Sequence, residues 1–185
     1  MPGEPVLLYV LIVGCEVAFW LVLLLGLIVR YVLGRQALGK WLLRSLALVD
    51  VMLLAFTAMD LKSGTRATFA HGLAAMYLGF TVSFGSTVIA WADERFAHVF
   101  AAGQAPRVSP TRGWEAVRYD LALWLRCIVA CVLAVAMLEV VIAFVANDEV
   151  TQPLHAWYKN AFGCVFFWFI FGPLWSLVSV GRSAR

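Results

Sequence analysis

Charge is scarce in this chain. Asp, Glu, Lys and Arg make up 14% of its 185 residues, well below the usual quarter or so, and that is too little to cover a soluble domain. The chain holds no GxSxG, no GxGxxG and no glycine loop ending in GK[ST], so the strand-to-helix turns of serine hydrolases, dinucleotide enzymes and nucleotide triphosphatases have no counterpart here. HExxH, CxxC and CxxCH are missing too, which removes the usual spacings for zinc hydrolysis, thiol oxidoreduction and haem attachment. There are four cysteines, Cys15, Cys127, Cys131 and Cys164. All fall within apolar runs, so they read as small packing groups rather than a disulfide framework. The net charge of +3 is small and spread over the ends of those runs, a distribution that suits anionic lipid headgroups and argues against nucleic acid as a partner.

What the chain has instead is apolar length. Hydrophobic residues make up 63% and the mean hydropathy is +0.89, the composition of a protein whose solvent is the lipid bilayer. Five runs, near 6–30, 41–60, 69–92, 121–146 and 156–180, approach or exceed the roughly 20 helical residues needed to cross a hydrocarbon core. They are continuous rather than alternating, and unpaired backbone in lipid costs several kcal/mol per group, so helices are predicted over strands. The expected fold is all-α: a single integral membrane domain over 1–185 with five transmembrane helices. The first run follows Glu4 with no basic residue before it, so it is expected to stay as a span rather than be removed as a signal.

Basic residues set the expected orientation. Arg30, Arg35, Lys40 and Arg44 surround the first turn, Arg95, Arg107, Arg112 and Arg118 lie in or beside the connection 93–119, and Arg182 and Arg185 close the tail. The opposite connections carry Lys62, Arg66 and Lys159 with the acids Asp148 and Glu149. The N-terminus is therefore expected outside and the C-terminus in the cytoplasm of a bacterial cytoplasmic membrane. Aromatic belts agree, with Tyr9, Trp157 and Tyr158 at the outer level and Tyr31, Trp41, Trp91, Tyr119, Trp124 and Trp175 at the inner one. The connection 93–119 holds Pro106 and Pro110 and is predicted to be a cytoplasmic loop.

Against this background the polar residues inside the runs stand out. At about 1.5 Å per residue, Asp50 lies roughly 14 Å from Trp41 and Glu16 roughly 15 Å from Val6, so both fall near the bilayer centre on consecutive antiparallel helices. Thr57 shares a helical face with Asp50, while Glu139 and Arg126 occupy the fourth run. Charges at that depth cost about 2.5–3.5 kcal/mol each and normally face the bundle with a partner. These five form a candidate midplane polar site. It has two readings: proton or ion handling, or polar groups that fasten helices, with Arg126 as the carboxylate's partner.

Asp60 and His71 flank the hairpin LKSGTRATFA at the expected outer surface, and His155 lies at a similar level near Asp148 and Glu149. Imidazoles and carboxylates suit a divalent metal, but their spacing is not diagnostic, and helix capping or a solvated surface accounts for them equally. The sequence names no cofactor. In the third run Gly72, Gly79, Ser83, Ser86 and Ala90 make a stripe that lets helices approach closely. Gly172 and Pro173 should kink the fifth run. Cys15 and Cys164 have comparable depth and are expected to be able to meet.

The order VD at 49–50, Asp60, HGLAA at 71–75, YLGF at 77–80, FG at 84–85 and WAD at 91–93 resembles the uncharacterised YmcC-type bacterial membrane proteins over roughly Gly26 to Phe96. The resemblance implies a small multi-pass bacterial membrane protein and supplies no reaction. On the residues themselves, the leading expectation is a transport or proton/ion-handling component. A scaffold that binds a membrane-protein partner or a second copy of the chain is the first alternative, and an outer-face enzyme using Asp60 and His71 is the second.

Overall fold

The computed structural model describes residues 4–100, 105, 109–110 and 113–183. Arg107, Arg112 and Arg185, and the side chains of Tyr9, Glu16, Asp93 and Arg182, lie outside the described residues. The order is α1 (Glu4–Tyr31), α2 (Gln36–Lys62), α3 (Phe69–Phe100), α4 (Gly113–Val145), a short α5 (Asp148–Thr151), a 3-10 turn (Gln152–His155), α6 (Ala156–Phe169), a π-helical turn (Ile170–Leu174) and α7 (Trp175–Ser183). No strand occurs among the described residues. Five helical stretches are long and apolar enough to cross a membrane, the last formed by α5 to α7 together.

The connection expected over 93–119 is shorter than its composition suggests. Residues 93–100 continue α3, because no glycine or proline interrupts DERFAHVF, and Arg95 stacks its guanidinium over the Trp91 ring at 4.3 Å. At the other side α4 begins at Gly113, which has φ +76°. Glu115 in its first turn complements the helix dipole. Pro110 stays outside both helices.

Close backbone approach holds the bundle together. A Cβ at Gly79 would overlap the Ala130 carbonyl of α4, and one at Gly72 would overlap the Trp157 indole of α6. Ala75 of α3, Cys127, Ala130, Ala134 and Leu138 of α4 and Ala161 of α6 are buried in this seam. Trp157, expected in an aromatic belt, is core because the missing side chain at Gly72 receives its ring. The stripe serves this contact only along its first part: Ser86 and Ala90 are exposed and border a groove with Arg30, Lys40 and Arg44. Polar contacts add to the seam's far end, where Trp124 Nε1 donates to the Val165 carbonyl at 3.0 Å and Ser176 donates to Asp120. Pro173, which lacks an N–H, sits buried in the π-helical turn between α6 and α7.

α1 and α2 form a hairpin through Gly34 (φ +67°), and a Cβ at Gly39 would lie 2.9 Å from the Gly26 carbonyl and overlap Arg30. α1 packs along α2 and meets α3 only sparsely. Its Val17, Trp20, Leu21 and Leu24 face outward, as a lipid-facing surface should. At the far end the main-chain N–H of Ala67 donates to the Val150 carbonyl at 3.0 Å, and Lys62 lies 4.0 Å over the Phe144 ring.

Gly79→Leu is expected to destabilise the protein by about 1–3 kcal/mol through overpacking. Gly85, where a Cβ meets nothing within 4 Å, should accept Ala with a change of less than about 1 kcal/mol. Equilibrium unfolding in mixed detergent micelles, followed by circular dichroism, checks both.

Candidate functional site

Asp50 stands near the middle of α2 and is 3% exposed. Thr81 of α3 is its hydrogen-bonding neighbour, and Oδ2 has no hydrogen-bond partner among the described residues. That carboxyl lines a cleft of about 270 Å³, walled by Cys15, Phe19 and Trp20 of α1, Leu53 of α2 and Tyr77 of α3. The Phe19 ring meets Trp20 edge-on at 5.8 Å and Tyr77 at 6.5 Å. Trp20 and Tyr77 are 61% and 47% exposed, so the cleft opens sideways between α1 and α3. The cleft exists because α1 is held by α2 and leaves a gap against α3.

The five residues grouped at the midplane do not form one site. Glu16 lies outside the residues whose side chains are described, although its neighbours Cys15, Phe19 and Trp20 line the cleft. Thr57 is buried on the Asp50 face, but its hydroxyl is spent on the Leu53 and Leu54 carbonyls at 3.0 and 2.7 Å. Arg126 is exposed and donates to Thr87; Glu139 is exposed and accepts from the Tyr158 phenol at 2.5 Å. The physical reason is azimuth. α4 buries the stripe Cys127, Ala130, Cys131, Ala134 and Leu138, which turns positions 126 and 139 to its flanks. Thr81, which the sequence reading passed over, is the partner that the structure gives Asp50.

Asp60 and His71 do meet. Both are buried, and His71 Nε2 lies 3.1 Å from Asp60 Oδ2. The Thr68 main-chain N–H points at His71 Nδ1 at 3.2 Å, and the Thr68 hydroxyl lies 2.8 Å from the same atom. A backbone N–H can only donate, so Nδ1 is an acceptor and the ring proton sits on Nε2, directed at the Asp60 carboxylate. Asp60 also accepts from the Thr65 hydroxyl at 3.1 Å. Thr68 precedes α3 and His71 is the third residue of that helix, so His71 fills the role that Glu or Gln plays in a capping box. The pattern T-x-x-H before an apolar run was the available signal.

His155 does not join this pair: it is exposed and packs edge-on against Tyr158 at 5.4 Å. Asp148 and Glu149 border a separate groove with Arg66. The His/Cys/Asp/Glu group of three that converges among the described residues is Cys127, Cys131 and Cys164. Cys15 and Cys164, expected to be able to meet because of their equal depth, are on different helix pairs, with Cys15 in the Asp50 cleft and Cys164 beside Cys127 at 3.9 Å.

Among curated proteins, the chain is 37% identical over 144 residues to the uncharacterized membrane protein YmcC of Bacillus subtilis (strain 168), covering 78% of this chain and 77% of that one. The likeness thus extends beyond the stretch from Gly26 to Phe96. No family model and no solved structure matches.

Removing either member of the Asp60–His71 pair strands a buried polar group, so Asp60→Ala and His71→Ala should each cost about 1–3 kcal/mol. Their double-mutant cycle in the same unfolding assay should return a coupling of about 0.5–3 kcal/mol.

Proposed function

The chain belongs to the family of the YmcC membrane protein, and we propose that it is a small transport or proton- and ion-handling component in which Asp50 is the exchanging group. The supporting observation is a carboxyl that is 3% exposed, has one oxygen without a partner among the described residues, and lines a cleft of about 270 Å³. Fastening helices together is best served by a satisfied pair, whereas a buried acceptor left without a partner beside a cleft has a lone pair to offer a proton or cation. In this reading Thr81 steadies the loaded and unloaded carboxyl in turn. The sparse contact of α1 with α3 allows α1 to shift against α3 and change the mouth. The Asp60–His71 network positions one end of α2 relative to α3. The location we propose is a bacterial cytoplasmic membrane, with the Arg30–Arg44 end in the cytoplasm and the Asp60–His71 end outside, on the distribution of basic residues.

A second reading, an enzyme acting through Asp60 and His71, has support in the order Thr68 hydroxyl, imidazole, carboxylate, which is the order of a nucleophile, its base and the group that orients the base. It ranks second because the Thr68 main-chain N–H also donates to Nδ1 and occupies the lone pair that a base needs.

Purified protein in liposomes carrying a pH-sensitive dye should dissipate an imposed proton or cation gradient. Asp50→Asn should lower that flux to the level of protein-free vesicles, and Thr81→Val should leave an intermediate rate. Absence of flux from the parent protein, or equal flux from Asp50→Asn, overturns the proposal.

A further inference from the structure

Three thiols converge on the opposite side of the bundle from Asp50. Cys127 and Cys131 are one helical turn apart on α4, and Cys164 comes from α6. Their sulfurs all lie within 4.8 Å of one another, with Cys127 and Cys164 at 3.9 Å. Cys127 is fully buried and Cys131 is 5% exposed, while Cys164 is half-buried.

We propose that this cluster is a three-sulfur site for a soft monovalent cation, with cuprous copper the biological ion of that class. Geometry is the first support. Metal–thiolate bonds of about 2.3 Å, the zinc–sulfur length, place the sulfurs of a trigonal site about 4 Å apart, and the Cys127–Cys164 separation of 3.9 Å already meets this. Cys131 needs only a small side-chain rotation to complete the triangle. Donor chemistry is the second support, since thiolates select cuprous ion, zinc and iron–sulfur clusters over hard cations. Zinc in a structural site takes four ligands, and no fourth His, Cys, Asp or Glu atom joins the group among the described residues. A cuprous ion is satisfied by three sulfurs.

Charge is the third consideration. Binding through one thiolate and two neutral thiols releases a single proton to water: Cu⁺ and R–SH give R–S–Cu and H⁺, with two further S–H groups donating lone pairs. That complex is neutral, so it avoids burying net charge. No electron is transferred, and the ion enters already reduced. An entry route is also at hand. Cys164 borders a groove that contains Asp120 and Gly172 at the π-helical turn, so an acidic side chain stands on the approach to the first sulfur.

The site is independent of the flux reading built on Asp50. Purified full-length protein is titrated with cuprous ion under anaerobic conditions against a colorimetric cuprous chelator. The parent chain is expected to hold one equivalent, and X-ray absorption of that complex should show a first shell of three sulfurs. Cys15→Ser should leave binding unchanged. Cys131→Ser and Cys164→Ser should weaken it by at least the roughly 10- to 100-fold that loss of a ligand's supporting partner costs. Failure of the parent protein to compete with the chelator overturns the proposal, as does a shell of two sulfurs or one containing nitrogen or oxygen. The absorption measurement needs no variant, so a Cys→Ser change that prevents folding does not decide the matter.

Discussion

Everything in this bundle depends on how closely two helix backbones can approach in lipid. Acyl chains are as apolar as leucine, so burial of apolar surface does not drive helices together there as it does in water. Contact must come from dispersion between backbones, and dispersion requires small residues. Gly72 and Gly79 supply the approach on α3, where one receives the Trp157 ring and the other the Ala130 carbonyl. Gly26 and Gly39 do the same for the α1–α2 hairpin. The chain thus packs α1 along α2, α2 against α3, α3 against α4 and α4 against α6, and the thin contact is that of α1 with α3. The cleft at Asp50 is the space left where α1 stands off α3.

This packing order bears on which polar groups are paired. Along the contact of α4 with the last span, Trp124 reaches the Val165 carbonyl and Ser176 reaches Asp120, whereas the Ser83 hydroxyl on the α3 stripe is buried without a partner among the described residues. At the hairpin joining α2 to α3, Asp60, Thr65, Thr68 and His71 form a closed network, which fixes the end of α2 to the start of α3 beside the buried Leu61 and Ala67. Asp50 borders the gap between α1 and α3. It has one neighbour on α3 and one oxygen left over.

The sequence reading was strongest where one variable decides the answer. Apolar length alone identified five spans, and the runs at 69–92 and 41–60 sit within α3 and α2. Depth along a helix was equally legible, which is why Asp60 and His71 were placed together at the ends of one hairpin. Azimuth was legible only in part. Equal depth suggested that Cys15 and Cys164 could meet and grouped Arg126 and Glu139 with Asp50, yet which face of α4 turns inward is decided by its partners α3 and α6. Polar residues were also poor guides to helix ends. The prolines that predict a loop over 93–119 lie at 106 and 110, so they leave 93–100 free to continue α3 past the end of the apolar run, since charge ends a span, not a helix.

A two-residue shift along α3 separates the two chemistries of the molecule. Tyr77 lines the cleft and Thr81, one turn on, faces Asp50, whereas Gly79, about 200° around the helix from either, faces α4. Beyond that contact, α4 presents Cys127 and Cys131 to α6. The carboxyl and the thiols are therefore on opposite sides of one rigid seam with no shared side chain. Movement of the α1–α2 hairpin that alters the cleft does have a packed route to the thiols, because α2 touches α4 directly and Leu54, Ala58 and Leu61 of α2 belong to the same cluster as Cys127 and Cys131. Coupling between the two would need either the α3–α4 or the α2–α4 contact to have two arrangements. A seam in which a glycine touches a carbonyl has little room for a second one, so any such rearrangement falls to the contact of α2 with α4.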